Sequence, residues 1–244
     1  FLSDSERQPA IPEMTYTFYP VWAQLLGKGL QRVPMKDDLS IDLDAMALWS
    51  GPVVFPNPNA PTAMAVSLSD IETLCAGNRD RLVIIDEAYH GFGAETAVPL
   101  IARFDNLLIT RSFSKSHALA GLRVGYALGA PELIEGLQRV KDSFNSYPVD
   151  AHAQAVAAAA IADIQWFEQA SNTIKENRRE LKAGLEDLGF SVLASEANFL
   201  LARHPNFSGV ELTEKLREAG ILVRSWSSED LKPCVRITVG TKSP

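Results

Sequence analysis

Cysteine is the scarcest informative residue: only Cys75 and Cys234 occur, far apart and in no CxxC pattern. That excludes a disulfide framework and gives no zinc signature, so no metal is expected and a reducing, cytoplasmic setting is. Positive charge is also in deficit, with 23 Lys and Arg against 30 Asp and Glu and a formal net charge of −7. Such a chain has no basic field to draw in nucleic acid or an anionic membrane surface. No apolar run approaches the roughly 18 residues of a membrane span. The opening stretch Phe1 to Arg7 is too acidic and polar for a secretory signal. Internal repeats and low-complexity segments are lacking too, the alanine-rich run from Ala151 to Ala162 reading as a tightly packed helix.

What is present suits a folded enzyme. The 244 residues are 46% hydrophobic, enough for a substantial core in one large domain or two smaller ones. From residue 30 to about 145, short β-branched runs alternate with stretches of helical length, the pattern of a parallel α/β sheet. The expected strands are Val53 to Phe55, Leu82 to Ile85, Leu107 to Thr110 and Val124 to Leu128, each nearly all apolar, as strands covered on both faces are. Ser69-Asp70-Ile71-Glu72 has capping-box spacing and predicts a helix between the first two strands. Pro131 opens another. Residues 148 to 188 read as long helices stopped by Gly189, followed by strands at Phe190 to Leu193 and Phe199 to Ala202, a helix over Val210 to Ala219, and a strand pair, Ile221 to Arg224 with Val235 to Val239. The expectation is therefore a large, mostly parallel α/β domain over residues 1–160 and a smaller C-terminal α+β domain over 161–244.

Two apolar runs end in reactive groups. Leu82-Val83-Ile84-Ile85-Asp86-Glu87-Ala88-Tyr89 delivers a carboxylate to the C-terminal end of a strand, the edge where open α/β sheets bind ligands. There Asp86 either caps the following turn or faces a cationic or hydrogen-bonding partner such as a protonated pyridine nitrogen. Leu107-Leu108-Ile109-Thr110-Arg111-Ser112-Phe113-Ser114-Lys115 ends in hydroxyls and an amine. Partial burial and nearby positive charge would lower the lysine pKa and favour its reaction with an aldehyde, while Ser112, Ser114 and Arg123 suit a phosphate dianion. A solvated lysine is the alternative for Lys115 taken alone.

The run from Ser112 through Lys115 and Arg123 to Tyr126 resembles the pyridoxal-phosphate (PLP) lysine signature of class II aminotransferases of fold type I, and most closely that of the histidinol-phosphate aminotransferases. The likeness extends over the chain through Thr15 to Pro20, Asn57 to Thr62, Asp86 to Tyr89 and Val235 to Thr241. It implies the PLP-dependent transferase fold, a homodimer, and transfer of an amino group between glutamate and 2-oxoglutarate on one side and histidinol phosphate and its ketone on the other. An aromatic amino acid acceptor, a related PLP lyase and a truncated non-catalytic remnant are the competing readings. Residue by residue, the resemblance implies that Lys115 binds the cofactor covalently and moves the substrate proton, and that Asp86 keeps the pyridine nitrogen protonated. It further implies that Tyr89 hydrogen-bonds the ring's 3-oxygen, that Tyr16 stacks on the ring, and that Ser112, Ser114 and Arg123 hold its phosphate. Arg236 matches the receptor for a substrate carboxylate, whose planar fork suits that task, and Arg224 falls near a substrate-phosphate arginine.

The pattern departs in two ways. Where many relatives read Asn-Pro-Thr-Gly, Ala60 precedes Pro61 and Ala63 replaces the glycine. Asn59 stands one residue earlier as the substitute for the asparagine that helps hold the 3-oxygen, and the alanine at 63 is expected to alter the turn. Relatives also carry a further N-terminal stretch with a cofactor-phosphate loop and an arm to the partner subunit, and a final helix, so the sequence reads as incomplete at both ends.

Overall fold

The computed structural model describes residues 7–242; of the polar opening stretch, Phe1 to Glu6 lie outside the described residues. The order of elements begins β1 (Ala10–Pro12), α1 (Phe18–Leu25), β2 (Gln31–Val33), α2 (Leu43–Ala47), β3 (Val53–Pro56), α3 (Leu68–Gly77), β4 (Val83–Asp86), β5 (Leu107–Ser112) and β6 (Gly125–Gly129). These strands form one sheet in the order β2-β1-β3-β4-β5-β6. Its core is the set of residues that the strands present to their covering helices: Val53, Phe55, Val83, Ile85, Leu107 and Ile109 are all fully buried. Each such side chain contributes about 1.5–3 kcal/mol on burial.

All neighbours in this sheet run parallel except β5 and β6. The exception has a plain cause. The link from Phe113 to Val124 holds no α-helix, only one 3-10 turn at Ala120–Leu122, and a parallel return is usually made through a crossover helix. The helix expected after Ser69 starts two residues earlier. Ser67 has the extended backbone of an N-cap, and its Oγ accepts the Asp70 N–H at 3.1 Å.

Arg81 ties this half together. It is 2% exposed, and its guanidinium donates to Ala47 O at 2.8 Å, Trp49 O at 3.0 Å and Leu74 O at 2.7 Å. These are carbonyls at the ends of α2 and α3, which lack intrahelical partners and carry the negative end of each helix dipole.

Three helices follow, α4 (Pro131–Phe144), α5 (Ala151–Ala162) and α6 (Ile164–Asp187), the last leading into Gly189 at φ +86°. A second sheet joins β7 (Ser191–Val192), β8 (Phe199–Arg203) and β9 (Cys234–Thr238) in antiparallel fashion, with α7 (Gly209–Glu218) against it. A full capping box at Ser208 and Glu211 starts α7. The strand expected at Ile221 to Arg224 shrinks to one bridge, Arg224 to Arg236. The chain leaves α7 through Gly220 at φ +81° and meets β9 only at Arg224, leaving Ile221 and Leu222 52% and 78% exposed. Among the described residues no helix is long and apolar enough to cross a membrane.

Candidate active site

The strand order reverses direction around β1: the chain moves outward to β2, then returns to β3 on the other side. The crevice beyond the carboxyl ends of strands at such a reversal is where open α/β sheets bind ligands. A cavity of about 470 Å³ lies there. It collects residues that follow β1 (Thr15, Tyr16), β3 (Ala60, Pro61), β4 (Tyr89) and β5 (Ser114, Lys115), together with Asp86 and Ser112 at the strand ends, Arg123, and Arg224 and Arg236 from the C-terminal half.

Asp86 and Lys115 open onto the same cavity, because Asp86 pairs in register with Thr110 on the parallel neighbour β5 and Lys115 follows that strand's end. The Asp86 carboxylate is enclosed by protein on most sides but opens on the cavity. One oxygen accepts the Ala88 N–H at 3.0 Å and the other the Tyr19 hydroxyl at 3.1 Å. Burial nevertheless raises its pKa, outweighing the hydrogen bonds from Tyr19, Ala88 and Thr110 that lower it. Among the described residues no cation lies within ion-pair distance of it.

Lys115 is exposed to the cavity's solvent. Partial burial, then the charges of Arg236 and Arg123, pull its ammonium below the usual value, the direction that makes an amine nucleophilic. Arg236 donates and accepts backbone hydrogen bonds with Arg224 at 2.7 and 3.1 Å. Its guanidinium lies 4.9 Å over the Phe199 ring, and its buried Nε has no hydrogen-bond partner among the described residues. Arg111, also in the wall, is fully engaged by Glu87 at 2.8 and 2.9 Å and by Thr96 at 2.6 Å. The remaining cations, Lys115, Arg123, Arg224 and Arg236, face the cavity, and among the described residues Asp86 is the one carboxylate in its lining. A ligand carrying several negative charges and one cationic nitrogen would balance that wall.

The structure brings Tyr16, Tyr89, Ser112, Ser114 and Arg123 to the cavity as well. Tyr16 is 41% exposed, and its ring is held in an aromatic cluster with Phe18, Tyr19 and Trp22 at centroid distances of 5.9, 5.6 and 6.0 Å. Burial raises the Tyr89 phenol above its ordinary value, so it stays a donor. Ser112 Oγ accepts the Ser114 N–H at 3.0 Å, and Arg123 sits in the left-handed region at φ 56°, a conformation typical of strained site residues. Asn59 is not brought there. It is fully buried, and its amide donates to Met14 O at 2.9 Å and Thr62 Oγ1 at 3.0 Å, so the one-residue shift points its side chain into the protein. The turn that follows does carry strain, since Ala63 adopts φ 64° where glycine would be at ease.

Tyr19 is the site residue that the sequence reading misses. It lies one helical turn beyond Tyr16 in α1, is 6% exposed, and its hydroxyl is the side-chain donor on Asp86 Oδ2. Its burial and the Asp86 charge both hold the phenol protonated. Tyr19→Phe removes one hydrogen bond that keeps the carboxylate charged, so the Asp86 pKa rises further. A cationic ring ligand is then expected to bind roughly tenfold more weakly, with a greater loss at pH 6 than at pH 8; titration of the bound ligand's absorbance at both pH values checks this.

Nearby, His90 and His117 sandwich Phe167 of α6 at ring separations of 5.6 and 5.1 Å. Burial, with Arg111 and His117 adding, pushes His90 down to about 4. These imidazoles are neutral packing that anchors the segments after Tyr89 and Lys115 on α6.

A family model for aminotransferases of class I and II matches residues 1–244. The chain is 53% identical over 230 residues to a histidinol-phosphate aminotransferase of Gluconacetobacter diazotrophicus, covering 94% of this chain and 65% of that protein. It is 51% identical over 237 residues to histidinol-phosphate aminotransferase 2 of Thiobacillus denitrificans, covering 97% and 66%. The chain therefore spans just under two thirds of the length of these curated relatives. Among solved structures it superposes on the histidinol-phosphate aminotransferase of Clostridium acetobutylicum with a TM-score of 0.89, at 23% identity, over 97% of this chain and 74% of that one. It also superposes on L-threonine-O-3-phosphate decarboxylase from Porphyromonas gingivalis with a TM-score of 0.82, at 22% identity, over 97% and 73%. At such identities the superpositions establish the fold, which hosts more than one chemistry.

Proposed function

The chain belongs to the class I and II aminotransferase family, and from that premise we propose that it is the PLP-binding part of an enzyme exchanging amino groups between histidinol phosphate and 2-oxoglutarate. The observation that carries this reading is one cavity in which an amine of lowered pKa lies within the fields of two arginines, while a carboxylate without a cationic partner stands on the adjacent strand. PLP fits those demands: Lys115 would take its aldehyde, Asp86 would face its pyridinium nitrogen, and Arg123, Ser112 and Ser114 would hold its phosphate. When bound, the cofactor supplies an electron-withdrawing ring that acidifies the substrate's Cα–H.

The chain's own groups do the rest. Asp86 would keep the ring nitrogen protonated, Tyr89 would donate to the 3-oxygen, and Tyr16 would cover the ring face. Lys115 Nζ, below its usual pKa, would act as the general base that takes the substrate's Cα proton and holds it for return. Arg236 receives the glutamate carboxylate as a planar fork, and Arg224 receives the phosphate of histidinol phosphate. Over one cycle histidinol phosphate and 2-oxoglutarate become the phosphorylated ketone and glutamate.

The domain boundary falls near residue 160 in this reading, the cavity drawing on residues from both sides of it. A homodimer is part of it too, supported by large apolar side chains left open, among them Leu25 at 82%, Phe144 at 93% and Tyr147 at 91% exposure; the setting is cytoplasmic. The test compares 2-oxoglutarate-dependent turnover of histidinol phosphate with that of phenylalanine. A site built around Arg224 is expected to favour the phosphate ester by at least about 100-fold in kcat/KM. Equal rates would remove the narrower substrate.

A further inference from the structure

Arg224 is exposed, stands in the cavity wall and has no carboxylate within 4.0 Å among the described residues. A long side chain in that situation samples many rotamers, and each one frozen on binding weakens the ligand's hold. One contact limits this freedom. The Arg224 guanidinium lies 5.5 Å from the centroid of the Trp226 ring, within the range of a cation–π interaction. The pair is i and i+2 along a segment whose backbone is tied to β9 by the two hydrogen bonds between Arg224 and Arg236, and in extended backbone such residues share a face.

Trp226 is itself fixed. It packs on the buried cluster of Leu201, Leu231 and Cys234, together with Met14 and Leu193. It also lines both the main cavity and a neighbouring one of about 530 Å³ that reaches Glu13 and Arg32, so its ring belongs to the wall shared by the two. Arg236 has a comparable platform in Phe199, as Arg224 has in Trp226.

We infer that Trp226 is a positioning residue for the phosphate end of the substrate: its ring holds the Arg224 guanidinium over the cavity and so sets the preference for a phosphorylated amine over glutamate. This rests on the proposed function for its substrate and on the ring geometry for its mechanism. Trp226 itself touches no reacting atom.

The test is a double-mutant cycle on the PLP-loaded protein, with Trp226→Leu, Trp226→Phe and Arg224→Gln made singly and Trp226→Leu combined with Arg224→Gln. Inorganic phosphate, titrated calorimetrically, is the first probe, and the ratio of kcat/KM for histidinol phosphate to that for glutamate is the second. Trp226→Leu is expected to weaken phosphate binding and to lower the ratio roughly fivefold, Trp226→Phe to retain most of both, and Trp226→Leu to have no further effect once Arg224 is gone. An equal loss in the Arg224→Gln background, or no loss in the wild-type background, would overturn the inference. If histidinol phosphate is not a substrate at all, the proposed function fails while the phosphate titration still decides the role of Trp226.

Discussion

Lys115→Ala is expected to abolish the visible absorbance of the bound cofactor and to lower transamination by at least about 10⁴-fold, the upper end of what a general acid–base group supplies. The size follows from the position of the amine. Among the described residues that line the cavity, Lys115 is the one primary amine, and the charges of Arg123 and Arg236 help to keep it deprotonated more often than a free lysine. No neighbour in the wall can replace it, since neither a guanidinium nor the phenols of Tyr16 and Tyr89 offer a primary amine. Because Lys115 is exposed, its truncation should change stability by no more than about 0.5 kcal/mol. A thermal melt of the cofactor-free variant therefore separates lost chemistry from lost fold. Lys115→Arg should behave like the alanine variant, since retaining a positive charge does not restore a nucleophile.

The second large effect belongs to Asp86, and it has opposite signs for function and stability. Asp86→Asn removes the negative charge proposed to face the pyridinium, and a preorganised charge of this kind is worth about 10²–10³-fold in rate when lost. Spectral titration should show weaker cofactor binding in the same variant. For the cofactor-free chain the carboxylate is a cost, because burial raises its pKa. The unfolded chain ionises at the ordinary carboxylate value and the folded chain only at a higher pH. The contribution of Asp86 to folding stability is therefore greatest below the ordinary value and falls as pH rises through the window up to the raised one. Asp86→Asn should flatten that dependence and leave the cofactor-free Tm at pH 7 no lower than wild type. A lowered Tm would mean that the Tyr19 and Ala88 hydrogen bonds outweigh the burial of charge.

Much of the scaffold is legible in the sequence because parallel strands covered on both faces write themselves as unbroken apolar runs. The runs before Asp86 and Ser112 are of this kind, and they locate the carboxyl edge of the sheet and with it Asp86, Ser112 and Lys115. The short strands β1 and β2 escape notice, each only three residues long. Direction is harder still. An apolar run over Val124 to Leu128 reads the same whether it returns parallel or antiparallel, and only the short link through Lys115 decides it. Side-chain partners across long separations leave no local trace: nothing near Tyr19 announces that its hydroxyl reaches Asp86, 67 residues away. Asn59 illustrates the converse. A matching residue type one position along the chain is turned to another side, and here its amide serves Met14 and Thr62 inside the protein.

The most direct measurement is borohydride reduction of the chain after incubation with PLP, followed by mass analysis of its proteolytic peptides. Reduction fixes the bond between aldehyde and amine, and the cofactor's mass should appear on the single peptide that contains Lys115 and vanish in Lys115→Ala. Label on a different lysine, or none on any peptide of the folded protein, would contradict the account.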